Sequence, residues 1–446
     1  MQVFFCIYSE KDVPLRLVMP YLRPMRKRRN AVWTVVMVVA IALGCMPGAK
    51  AAGSMQGDSL EVSLLTCSPG DAIYELYGHS AIRVREKGGG SDWVFNYGMF
   101  DFRTPHFAWR FMRGETDYFL AAQPFASFIA SYRKQGRGVT AQVLNLTAEE
   151  KLSLAASLAR TASLEGWTYR YNFLYDNCTT RAVDEVEDCL GGSGLEWPTN
   201  LADGRTQRDV IHEFAAVSPW ARFGQDLILG SEIDHPADIR ELMFSPIYAE
   251  RLLAGAKRVD ANGSNSPLVA ATVELLKPDA SKHTGSTALT PMVAAVVLFL
   301  AVGALSWRDM KRRRLTLWVD IPMMLLQGGA GCVVLMLFAF SAHPAVGSNW
   351  LVLLLNPLPL LYAPFKRMFD KRGVGRYYYW ILLIVILLIV VLAACGVQAL
   401  PPELYVLFSA YVVRSATGIS VLRARAVSGK PFIKEETRNT DRVVKK

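Results

Sequence analysis

Residues 377–397 read YYYWILLIVILLIVVLAACGV, twenty-one residues without a charge. A run of this length crosses the hydrocarbon core of a bilayer as a helix, the form that satisfies its own backbone there. Working outward, further apolar runs predict spans at about 288–307, 316–340, 349–365 and 403–422. The last follows Pro401-Pro402 and carries Arg414. The connections alternate in charge. Residues 308–314 hold five Lys or Arg, residues 366–376 another five and the tail from Arg423 eight, whereas 341–348 and 398–402 hold none. Positive loops stay in the cytoplasm. The first span is therefore expected to run inward and the C-terminus to lie in the cytoplasm. The long segment before the spans then faces the periplasm from a bacterial inner membrane.

The N-terminus points the same way. Arg26-Lys27-Arg28-Arg29, an apolar run over 31–46 and the exit Ala49-Lys50-Ala51 have the layout of a secretory signal or an N-terminal anchor. The expected organisation is a leader over 1–51, a periplasmic domain over 52–282, spans over 283–425 and a basic tail over 426–446. The net charge of +10 comes mostly from the membrane-flanking loops. It sets topology and touches anionic lipid, and it does not indicate nucleic acid. The partner that this composition implies is a membrane.

Within the soluble segment, alternating runs at 60–66, 80–85, 92–98 and 139–146 predict strands, the second and third joined by a turn at Lys87-Gly88-Gly89-Gly90-Ser91. Thr147-Ala148-Glu149-Glu150 is a capping box opening a helix to about Ser163. Residues 169–175 read as extended. A second helix starts at Asp176-Asn177, with Cys178 in its first turn, and ends at Gly191-Gly192-Ser193-Gly194. Residues 195–255 read as mostly helical and 259–266 as a polar loop. The domain class is α+β, followed by an all-α bundle of about five membrane helices.

Three cysteines belong to the exported domain: Cys67, Cys178 and Cys189. An odd count in an oxidising compartment leaves a thiol unpaired. Cys178 and Cys189 are three helical turns apart and cannot bridge; Cys67–Cys189 is one pairing open to the domain, and it would leave Cys178 free. A helix N-terminus lowers a thiol pKa and offers N–H groups to an oxyanion. His79, in the turn Gly78-His79-Ser80, is the candidate base, and Asn96 on the neighbouring strand the candidate orienting group. Spacing alone leaves open that Cys178 merely packs. His106, His212 and His235 carry no partner motif and read as structural or surface residues. Metal-ligand spacing, phosphate loop and dinucleotide fingerprint are all missing, so no cofactor is expected.

Gly78-His79-Ser80-Ala81-Ile82-Arg83, Phe95-Asn96-Tyr97-Gly98-Met99-Phe100, Arg113-Gly114-Glu115-Thr116-Asp117-Tyr118 and the stretch from Tyr171 through Asn177-Cys178-Thr179-Thr180-Arg181 together resemble the Lnb N-terminal periplasmic domain, formerly DUF4105, over about 55–215. The spans resemble that family's transmembrane partner. The resemblance implies a lipoprotein N-acyltransferase of Bacteroidetes-type bacteria on a circularly permuted papain-like fold of the NlpC/P60 kind. It makes Cys178 the nucleophile and His79 the base, and leaves Tyr97, Tyr175, Asn177 and Arg181 to bind substrate or wall the site. It also implies a phospholipid acyl donor and a diacylated lipoprotein acceptor. The competing readings are a cysteine amidase or peptidase of the cell wall, a phospholipase and a non-catalytic membrane-associated module.

Overall fold

The computed structural model describes residues 57–427 apart from 102, 191–193, 200–201, 260–262 and 280–288. The expected leader with its cleavage site, and nearly all of the basic tail, lie outside the described residues.

The four expected strands form as β1 Leu60–Cys67, β2 His79–Glu86, β3 Asp92–Met99 and β5 Val139–Leu144, joined by β4 Asp117–Pro124, β6 Tyr169–Arg170 and β10 Val269–Leu276. They make a seven-stranded sheet in the order β10-β5-β1-β2-β3-β4-β6. The neighbouring pairs run antiparallel. β1 sits centrally and is buried on both faces, which is why Leu60-Glu61-Val62-Ser63-Leu64-Leu65 alternates only in part. One face carries Leu60, Val62, Leu64, Ile82 and Tyr97. Helices α3 Ala148–Ser163 and α4 Cys178–Cys189 cover it. The other face carries Leu65, Cys67, Ala81 and Val94 under Phe128 and Tyr132 of α2 Phe125–Gln135. A short helix, α1 Phe107–Met112, precedes β4. The capping box forms as read: Thr147 Oγ1 accepts from the Glu150 amide at 3.3 Å, and the Glu150 carboxylate accepts from the Thr147 amide at 2.7 Å.

Two readings need correction. The stretch around 259–266 is not simply a loop, because Lys257–Val259 (β8) pairs on one side with β7 Gly194–Glu196 and on the other with Asn265–Pro267 (β9) in a second small sheet. Backbone pairing in such short polar strands leaves no hydrophobic alternation to read. The three domain thiols are all free, Cys67 lying in the cluster under α2 and Cys189 in the opposite one. The sheet separates the two sulfurs, so the Cys67–Cys189 pairing does not form.

Residues 195–255 are helical as expected, with α5 Gln207–Ala215, α6 Pro219–Ile228, α7 Ile239–Leu242 and α8 Pro246–Gly255. Arg208 ties this layer together. It is 3% exposed and donates to Asp226 at 2.9 Å, Asp234 at 2.5 Å and the Leu229 and Gly230 carbonyls. Arg208→Leu is expected to lower stability by about 3–5 kcal/mol, because two buried carboxylates lose their cation. A melting temperature within a degree of wild type in detergent would contradict this.

Among the described residues five segments are long and apolar enough to cross a membrane, starting with Pro291–Arg312 and Leu317–Phe340 and ending with Gly375–Ala394 and Pro402–Ala426. The third, Pro344–Lys371, departs from the expected continuous helix over 349–365. It is a chain of short turns, Pro344–Gly347, Trp350–Leu353, Leu358–Tyr362, Ala363–Phe365 and Lys366–Lys371. Pro357, Pro359 and Pro364 each remove an amide donor and restart the helix. The freed carbonyls find side chains instead: Gln327 Nε2 donates to Leu354 O at 2.9 Å and Asn356 Nδ2 to Leu353 O at 2.8 Å.

Charges from the spans meet in a buried cluster. Arg414 bonds Asp309 and Asp320, each at 2.8 Å. Tyr379 Oη donates to Asp320 at 3.0 Å, and Lys366 pairs with Asp370. These residues come from all five crossings. Lys366, read as a loop charge, is fully buried.

The soluble domain is seated on the bundle, at the end away from the basic connections. Phe223 and Leu227 of α6 pack into the span core. Gly230 N–H donates to Ala345 O at 2.7 Å, Ser231 N–H to Ser348 O at 3.2 Å and Ala342 N–H to Arg113 O at 2.9 Å. Asn349 Nδ2 reaches Leu227 O at 2.9 Å.

Candidate active site

The site forms where the first turn of α4 meets the ends of β2 and β3. Asn177 is the N-cap of α4: its side-chain oxygen accepts from the Thr179 and Thr180 amides at 2.7 and 3.0 Å. Its Nδ2 donates to Phe173 O and Phe244 O at 2.7 and 2.8 Å. The cap is thereby locked to both flanking loops, and the next residue, Cys178, is held in a fixed place. Of the first-turn amides, Asn177 leaves that of Cys178 uncapped.

Burial alone would raise the Cys178 thiol. The charge and hydrogen bond of His79, the Ser80 backbone N–H and the Thr179 hydroxyl outweigh it and bring the thiol down to about 7. Burial works against the charged form of His79, but the Cys178 thiolate and a hydrogen bond to Asn96 raise its pKa. His79 Nε2 lies 3.2 Å from Asn96 Oδ1. With Nε2 donating to Asn96, Nδ1 is left to serve the thiol. Ser80 Oγ donates to Thr179 Oγ1 at 3.1 Å, fastening β2 to the helix turn.

Gly98 gives the thiol its room. The β3–β4 pairing slips between Asn96 and Met99, and Gly98 sits in that irregularity at φ +84°. A Cβ there would stand 3.4 Å from Cys178 Cβ and 3.8 Å from the Tyr171 ring. Gly98→Ala is therefore expected to cost about 1–2 kcal/mol of backbone strain and to slow alkylation of Cys178. Unchanged melting and alkylation would show that the close approach is unimportant.

Residues 49–201 match the family model of the Lnb N-terminal periplasmic domain, and residues 282–425 match that of the Lnb transmembrane domain. The chain belongs to the Lnb family. No curated protein and no solved structure matches the chain. Cys178, His79 and Asn96 all fall inside the matched Lnb periplasmic domain.

Of the other residues singled out in this Lnb sequence, Asn177 caps the helix as described. Arg181 forms a two-pronged pair with Asp176 and lies over the Tyr169 ring at 4.5 Å, so it braces the loop before the thiol. Tyr175 is half-exposed at the rim and bonded to Glu232. Tyr97 is not a wall of the thiol site. It is buried in the core, where its hydroxyl donates to Glu185 at 2.5 Å, because strand alternation turns it away from the face of Asn96. His212 is paired with Asp226 and His235 with Glu241, apart from the thiol. Sequence reasoning missed the Ser80 amide, Thr179 and Gly98. Only Gly98 left a signal, a glycine inside a strand pattern. Among the described residues no cluster of His, Cys, Asp or Glu could hold a metal ion.

The thiols of this Lnb chain differ sharply. Burial pushes Cys67 and Cys189 up to about 12. Thiolate is the reactive form, and its fraction rises with pH through the pKa. Iodoacetamide should therefore modify Cys178 with a half-maximal rate near pH 7 and leave Cys67 and Cys189 untouched below about pH 10. Equal labelling of the three, read by peptide mass spectrometry, would contradict the assigned environment.

Proposed function

We propose that this protein is a lipoprotein N-acyltransferase of the inner membrane, with its soluble domain in the periplasm and its C-terminus in the cytoplasm. The carrying observation is a thiol–imidazole pair, poised near neutral pH, in a domain seated directly on a membrane bundle. His79 takes the Cys178 proton. The thiolate attacks the ester carbonyl of a phospholipid acyl chain, and the uncapped Cys178 amide at the start of α4 faces the developing oxyanion. Collapse breaks the acyl ester bond, and His79 returns the proton to the departing glycerol oxygen, releasing a lysophospholipid. The acyl group is left as a Cys178 thioester. The neutral α-amine of a diacylglyceryl-cysteine lipoprotein then attacks that thioester. His79 accepts the amine proton and protonates the leaving sulfur, giving the amide and free Cys178.

Asn96 holds the ring for both steps. Asn96→Ala is expected to lower turnover about 10- to 100-fold, the worth of a hydrogen bond of roughly 1.5–3 kcal/mol to a charged group. We also read the domain as a circularly permuted papain-like fold, supported by the Cys-bearing helix packed on the strands of His79 and Asn96.

The test is mass spectrometry of lipoprotein N-termini in cells lacking the protein and complemented with wild type, Cys178→Ala or His79→Ala. Restored N-acylation with wild type alone supports the reading. Restoration by Cys178→Ala, or unchanged lipoproteins accompanied by lost cell-wall peptide cleavage, overturns it.

A further inference from the structure

The thiol site does not end at Cys178. Gly98 lies between Cys178 and the Tyr171 ring, and from there aromatic rings follow one another, half-buried except for the buried Tyr118. Tyr171 stacks on Tyr118 at 4.3 Å, Tyr118 meets Phe100 at 5.0 Å, Phe100 stacks on Phe107 at 5.4 Å and Phe107 lies over Phe111 at 6.0 Å. The last two rings belong to α1, which also presents Trp109, 48% exposed.

The far end of this row lies where a span leaves the bundle. The second span ends at Phe340. Two residues on, Ala342 N–H donates to Arg113 O at 2.9 Å. Gly114 approaches His343 so closely that a Cβ would stand 3.1 Å from its ring. Arg113 directly follows α1. Six helical residues extend only about 9 Å, and the headgroup layer on each side of a bilayer is roughly 5–8 Å deep. Whichever way α1 points, its aromatic rings stand in or beside that layer, where Trp and Tyr concentrate.

We propose that α1 is a lip in the membrane interface and that the aromatic row behind it is the path by which a phospholipid acyl chain reaches Cys178. The lipid contact stands by itself; the delivery of the chain to the sulfur rests on the transfer reading. The surface is continuous with the established seat of the domain on the bundle. Its flat-ringed lining suits a hydrocarbon chain, and the charges beside it are paired with one another, Arg110 with Asp117 and Arg113 with Glu115.

The experiment uses the full-length Cys178→Ala protein in vesicles containing a phospholipid with a diazirine on its acyl chain. After irradiation, adducts are expected on the peptide bearing Phe107–Met112 and on that bearing Tyr171, besides those on the spans. Adducts confined to the spans would overturn the proposal. Trp109→Ser with Phe111→Ser, made in the wild-type background, should raise the KM for vesicle phospholipid at least tenfold; an unchanged KM would count against the path. If α1 is labelled but wild type releases no lysophospholipid, the lipid lip stands and the transfer reading fails. If lysophospholipid is released and α1 stays unlabelled, the lip fails and the transfer reading stands.

Discussion

Membranes carrying Cys178→Ala should release lysophospholipid and N-acylate lipoprotein at less than about a thousandth of the wild-type rate, because the covalent route is closed. The other two thiols of the soluble domain cannot take over. Cys67 and Cys189 are held protonated by burial and lie in the interior on opposite sides of the sheet. His79→Ala should lose roughly 10²–10⁴-fold, the contribution of a positioned general base. The two residues act as one unit, since each raises the charged form of the other. The double variant should therefore be little worse than Cys178→Ala alone. Multiplying losses would show that the pair is not the reactive unit. The rate should also rise with pH up to about 7, as the thiolate forms. A rate flat from pH 5 to 9 would argue against a titrating thiol.

The second large effect is expected far from the thiol. Arg414→Leu removes the cation shared by Asp309 and Asp320, which stay buried with it among the spans. Breaking such a pair from one side costs about 3–5 kcal/mol. Lys366 compensates poorly, since it stands 3.9 Å from Asp320 and is already engaged with Asp370. The variant should accumulate poorly and melt several degrees lower in detergent. Replacing Asp309 and Asp320 by Asn and Leu in the same chain should recover much of the loss, because the uncompensated charge is then gone. Wild-type melting of Arg414→Leu would mean that the cluster contributes little.

Much of this molecule is legible before it folds. Apolar length alone separates the spans from the domain, since a bilayer demands a run such as 377–397 whatever packs around it. Strand alternation and the Thr147 and Asn177 caps mark β1, β2, β3, α3 and α4 to within a residue or two, because these are local rules of period and hydrogen bonding. The candidate base and nucleophile stand out for the same reason: a lone His at a strand entry and a lone Cys at a helix start are local features.

The rest depends on residues distant in sequence. Strands β4 and β10 were not readable, because β10 is an exposed edge with little to bury and its partner β5 is more than a hundred residues earlier. Apolar length makes the third span read as one continuous helix despite its prolines, and its breaks are held by Gln327 of the preceding helix. Lys366 reads as a loop cation and becomes a buried one only because Asp320 and Asp370 converge on it. Sequence by itself established a membrane bundle, an α+β domain and two residues worth watching. Folding alone brought Cys178 beside His79, ninety-nine positions apart in sequence, opened the Gly98 gap and set the aromatic row over the end of the second span. Those contacts are long-range, and no local period or cap encodes them.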